Sequence, residues 1–112
     1  MPVFIAYLDP QLRYQFVNRT YENRLQKPSQ EICGQSIEFV LGQDLYQQLL
    51  PKLRQAQQGQ TVTYQAVIEQ SAPTQIFVRA NLIPDLNSNG ELRGIFLLAI
   101  ELGTDGTPQL SF

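Results

Sequence analysis

The chain has 112 residues, 43% hydrophobic and 16% charged, which suits one compact domain whose core needs no metal or disulfide staple. Eight basic against ten acidic residues give a net charge of −2, so no basic excess exists to neutralise a phosphate backbone, which argues against nucleic acid. There is no histidine, which removes the commonest general base near neutral pH, the usual zinc ligand and imidazole-ligated haem.

Residues 3–8 form an apolar run rich in strand formers. It is too short to span a bilayer and lacks the basic flank of a signal peptide, so neither membrane insertion nor export is expected. Asp9-Pro10 marks a turn, and residues 13–17 alternate polar and apolar as a half-buried strand does; the two segments predict an antiparallel hairpin. Asn18 suits a helix N-cap, with a short helix reaching about Leu25. Pro28-Ser29 opens a further turn or two that end at Gly34.

Leu45, Leu49, Leu53 and Ala56 recur at intervals of three and four, which places them on one helix face. Pro51 interrupts that pattern and predicts a kink or two abutting helices. Beyond Gly59 the period switches to two. Val62, Tyr64, Ala66 and Ile68 mark one strand, and Ile76, Val78, Ala80 and Leu82 mark the next, ended by Pro84. Asn89-Gly90 predicts a hairpin, since both residues tolerate positive φ. The last strand, 92–102, is nearly all apolar over 95–100, which predicts a central strand or one covered by a partner. Two strands, a helical middle and three strands make an α+β fold with an antiparallel sheet.

Several motifs imitate chemistry. Residues 85–90 begin like a calcium loop, but the ninth position is Arg93 and the twelfth Phe96, so a hairpin turn is the expectation and no metal site is assigned. Cys33, the single cysteine, cannot form an internal disulfide, and its neighbours offer no charge to stabilise a thiolate. Asp9, Asp44 and Asp85 fall at turns or helix starts and suggest no catalytic dyad. The tyrosines offer apolar bodies with polar tips, suited to core or pocket. Arg79 and Asn81 share a strand face opposite Val78 and Ala80, polar groups for a pocket if helices cover that face and solvated or interfacial otherwise.

Taken in order, the pieces resemble a PAS domain over roughly nine-tenths of the chain. They are Ile5-Ala6-Tyr7-Leu8-Asp9, Arg13 to Asn18 leading into Tyr21-Glu22, Glu31 to Ser36 around Gly34, Ala56 to Gly59, Leu82-Ile83-Pro84, Asn89-Gly90 and Gly94. The resemblance implies a five-stranded antiparallel sheet with helices packed on one face, in the chain order β-β-α-α-α-β-β-β. It also implies a sensory and dimerisation module, often joined to a histidine kinase, cyclase or DNA-binding output domain. In the flavin-photosensing branch the adduct cysteine follows the helix–Gly turn by three residues; that position is Ile37 here, so a flavin–cysteine adduct is not supported. The family's closing Asp-Ile-Thr is matched by Glu101-Leu102-Gly103, which keeps only the carboxylate. The absence of a flanking N-terminal helix and the glycine- and proline-containing tail are expected of an excised piece of a longer protein.

The expected organisation is a single domain over 1–102, with 103–112 as a tail or the start of a linker. The expected function is non-catalytic: a cytoplasmic module of a larger signalling protein that senses a ligand, forms a homodimer, or both, any small molecule lying between the helices and the sheet and the cofactor being unassigned. Tyr46, Tyr64 and Asn81 are the candidate pocket polar groups, and Ile95 and Leu97 on the last strand the candidate self-association surface. Two alternatives stay open, a small isomerase-like enzyme with a carboxylate and a tyrosine in an apolar cavity, and an inert interaction scaffold.

Overall fold

The computed structural model describes the backbone of residues 3–71 and 74–103 and the side chains of residues 3–66 and 77–102. Strands β1 (Val3–Leu8) and β2 (Tyr14–Val17) are followed by helices α1 (Arg19–Leu25), α2 (Ser29–Ile32), α3 (Ile37–Leu41) and α4 (Gln43–Gln57). Strands β3 (Val62–Ser71), β4 (Thr74–Leu86) and β5 (Leu92–Gly103) complete the chain order. All pairings are antiparallel, and the five strands lie in the order β2-β1-β5-β4-β3. The near-continuous apolar run of β5 is thus explained by its place at the centre of the sheet, between β1 and β4.

The β1–β2 hairpin is built by Asp9. Its Oδ1 accepts from the backbone N–H groups of Gln11 and Arg13, and its Oδ2 from Gln15 Nε2. Asn18 then does more than cap α1. Its Oδ1 accepts from Tyr21 N at 3.1 Å and Ile5 N at 3.2 Å, while its Nδ2 donates to Val3 O at 2.8 Å. One side chain thereby ties the first helical turn to the first strand.

Three expectations about boundaries need correction. α4 runs through Pro51 as one helix, and the break falls earlier, at Gly42, which separates α3 from α4. Pro51 is exposed and costs one backbone hydrogen bond, which the buried side chains Leu49, Leu53 and Ala56 on the other face offset. β4 passes through Pro84 to Leu86, with Pro84 opposite Ile95 and a register irregularity just beyond. In the β4–β5 turn only Gly90 adopts positive φ, at +81°. The turn is held instead by Asn87, whose Oδ1 accepts from Asn89 N and Glu91 N.

The core lies between the helices and one face of the sheet. Leu8, Tyr14, Ile32, Ile37, Leu53, Leu82 and Ile95 are all fully buried there. The side chains expected inward at Ile68 and Ile76, and the tail over 104–112, lie outside the described residues. Among the described residues no helix is long and apolar enough to cross a membrane.

Candidate functional site

A cavity of about 460 Å³ lies between the helices and the sheet. Its roof is Leu25 of α1, Val40 and Leu41 of α3, and Leu45 and Leu49 of α4. Its floor owes its room to small residues on three strands. Ala80 of β4 pairs with Ala99 of β5, Phe4 of β1 faces Ala99, Tyr64 of β3 stands opposite Ala80, and Ala66 lies two residues further along β3, opposite Val78. Larger side chains at these positions would close the space, as Leu82 and Ile95 do further along the sheet.

The polar part of the wall is made of phenols. Tyr14 and Tyr21 meet edge to face with their hydroxyls 2.5 Å apart. Tyr14 is fully buried behind the wall, whereas Tyr21 and Tyr64 line the cavity. Burial holds all three in the neutral form. It pushes Tyr21 up to about 12, and it raises Tyr14 and Tyr64 as well, with a smaller contribution from neighbouring tyrosines. Tyr64 has no side-chain hydrogen-bond partner among the described residues.

Arg24 and Gln26 supply the remaining polar lining. Arg24 forms an ion pair with Glu101 and lies over the Phe4 ring at 5.6 Å, so it fastens α1 to the end of β5 beside the cavity. Among the described residues no carboxylate lines the cavity. Cys33 lies outside it, half-buried, and burial followed by the charge of Glu22 pushes its thiol up, away from the reactive thiolate.

The residues singled out in the sequence divide among three places. Tyr64 lines the cavity. Tyr46 points to the other side of α4, into a separate shallow groove with Pro10, Ser36 and Gln57. Asn81 is on the outer face of the sheet, where its Oδ1 accepts from Thr63 Oγ1 at 2.6 Å, so it is not a pocket group. Ile95 and Leu97 are also misassigned, since they are 0% and 5% exposed and belong to the core side of β5. The outer face of that strand is Phe96, Leu98 and Ile100. Phe96 is 40% exposed and packs edge to face on Tyr7, with ring centroids 4.7 Å apart. Val3 and Phe16 extend this apolar surface. Sequence reasoning held Tyr21 only as one of several tyrosines for core or pocket, and it missed Arg24 and the alanine floor. The alternation of β3 and β4 held the alanine signal, but only the cross-strand register shows that Ala80 and Ala99 meet.

The molecule is thus a five-stranded antiparallel sheet of order β2-β1-β5-β4-β3 with helices on one face and a cavity between them. A family model described as PAS fold matches residues 1–104, and the chain belongs to the PAS family, whose members are generally sensory and signalling modules. The PAS domain from Bordetella pertussis BvgS superposes with a TM-score of 0.74 at 22% identity, covering 90% of this chain and 77% of that one. An RNA-binding light-oxygen-voltage receptor superposes with a TM-score of 0.73 at 17% identity, covering 91% of this chain and 30% of that one. The chain thus spans less than a third of that receptor, and at these identities the likeness is one of fold. Comparison with curated proteins gives no match.

Proposed function

We propose that the chain is a non-catalytic sensor domain of a larger signalling protein, binding a small apolar molecule in the cavity and self-associating through the outer face of its sheet. The observation that supports this reading is the double role of β5. Leu97 and Ala99 line the cavity, while Phe96, Leu98 and Ile100 alternate with them on the opposite, partly exposed apolar face. A molecule that moves the strand from one side therefore acts on the surface at the other. The signal it carries is the difference in its affinity for two arrangements of that strand.

Native mass spectrometry tests the binding half. The folded chain is expected to carry a small molecule, either as purified or after incubation with 2-ethylnaphthalene or 2-acetylnaphthalene, that is lost on denaturation. Ala80→Leu, which grows a side chain into the floor, is expected to carry none. A bare mass for the unsubstituted chain under all three conditions would contradict the proposal.

A further inference from the structure

We propose that the cavity selects a neutral, largely apolar molecule bearing a hydrogen-bond acceptor, a carbonyl oxygen above all, which the hydroxyls of Tyr21 and Tyr64 receive. This rests on the reading of the cavity as a ligand site and specifies its chemistry. Each phenol has one proton to donate. Tyr14 is fully enclosed, so its proton is satisfied only by donating to Tyr21, 2.5 Å away. The reverse polarity would leave the Tyr14 proton against hydrocarbon. Tyr21 therefore accepts from Tyr14 and turns its own proton elsewhere, and both Tyr21 and Tyr64 border the cavity.

The rest of the wall offers these donors little. Among the described residues its side chains are hydrocarbon apart from Arg24 and Gln26, and Gln26 is exposed. Beside Tyr21 and Tyr64 the wall thus holds donors in excess of acceptors, a balance that an incoming carbonyl corrects. Charge is disfavoured in both signs. Arg24, the one cation in the wall among the described residues, is already paired with Glu101, so an anion would have to be desolvated without a free counter-charge there. A cation would meet no carboxylate in the wall among the described residues.

The test compares three probes of nearly one shape on the 112-residue chain by isothermal titration: 2-acetylnaphthalene, 2-ethylnaphthalene and 2-naphthoate at pH 8. The ketone is expected to bind about tenfold more tightly than the ethyl compound, the value of one to two neutral hydrogen bonds. The carboxylate is expected to be the weakest of the three. Tyr64→Phe should reduce the ketone's preference to about threefold or less while leaving the ethyl compound within about twofold of its original affinity. Tyr21→Phe gives an independent check, and circular dichroism melts establish that each variant is folded. Equal binding of ketone and ethyl compound would overturn the acceptor requirement and leave the cavity standing as a ligand site. Tighter binding of the carboxylate would overturn neutrality. Binding of none of the three would overturn this assignment, and the function on which it rests falls with it only if the chain also carries no molecule as purified.

Discussion

Gly94→Ala is expected to destabilise the chain severely although the position lies in a regular strand. Gly94 sits on β5 opposite Asp85 and is buried where β1 crosses beside it. A Cβ there would meet the hydroxyl end of the Tyr7 ring and would stand 2.6 Å from the backbone oxygen of Leu8. A comfortable carbon–oxygen contact is about 3.3 Å, so β1 has to retreat by roughly 0.7 Å or β5 has to bend. Overpacking of this kind costs about 1–3 kcal/mol. The tyrosine has to swing as well, which endangers its 2.7 Å hydrogen bond to Asp85 Oδ2 and adds about 1 kcal/mol for a half-exposed pair. The sum, about 3 kcal/mol, corresponds to a fall in Tm of roughly 12 °C for a domain of this size. Urea denaturation of Gly94→Ala, Tyr7→Ala and the double variant separates the two contributions. The cost of Gly94→Ala should fall to about 1–2 kcal/mol in the Tyr7→Ala background, where only the Leu8 carbonyl remains in the way. A cost below about 0.5 kcal/mol in the original background, or one unchanged by Tyr7→Ala, would refute the reasoning.

Three other expectations follow from the same geometry. Asn18→Ala removes the α1 cap and both ties to β1, and should cost about 2–3 kcal/mol by thermal melting; a loss near that of an exposed residue would show the ties to be idle. Because burial raises Tyr14, Tyr21 and Tyr64, their neutral forms contribute stability that is complete below about pH 10, the unfolded value for tyrosine. That contribution is lost as the pH climbs through the folded values, which for Tyr21 means towards about 12. Phenolate absorbance should therefore appear from these three only together with loss of circular dichroism, and titration of all five tyrosines near pH 10 in a folded chain would contradict this. On the outer face proposed for self-association, Phe96→Glu should shift the chain from dimer to monomer in sedimentation velocity while circular dichroism shows it still folded, whereas an unchanged sedimentation coefficient would refute that surface.

The order of elements was legible because hydrophobic period changes cleanly along the chain. It runs at two through residues 13–17, at three to four around Leu45–Ala56, and at two again after Gly59. Asn18 and Asp9 announced their turns through side chains that bond locally. The faces of β5 were not legible, because a strand apolar on both sides has no phase, and Ile95 and Phe96 look alike until the helices cover one of them. Asn81 shows the converse. Its alternation with Ala80 and Leu82 placed it correctly on one face, but which face the helices cover is a tertiary fact. Pro51 was read as a kink or a junction of two helices and Pro84 as a stop, and packing carried the helix and the strand through both. The donor excess in the cavity was hidden for a different reason. It depends on Tyr14, Tyr21 and Tyr64, from a strand, a helix and a third element far along the chain, of which the fold joins Tyr14 to Tyr21 and brings Tyr21 and Tyr64 to one cavity wall.

The central claim is that β5 joins the cavity to the outer face of the sheet. It is tested most directly by assigning the backbone and methyl resonances and titrating the chain with 2-acetylnaphthalene. Leu97 and Ala99 are expected to shift together with Phe96, Leu98 and Ile100, at one common apparent Kd. Shifts confined to the roof residues of α3 and α4, with the outer face of β5 unmoved at saturation, would contradict it.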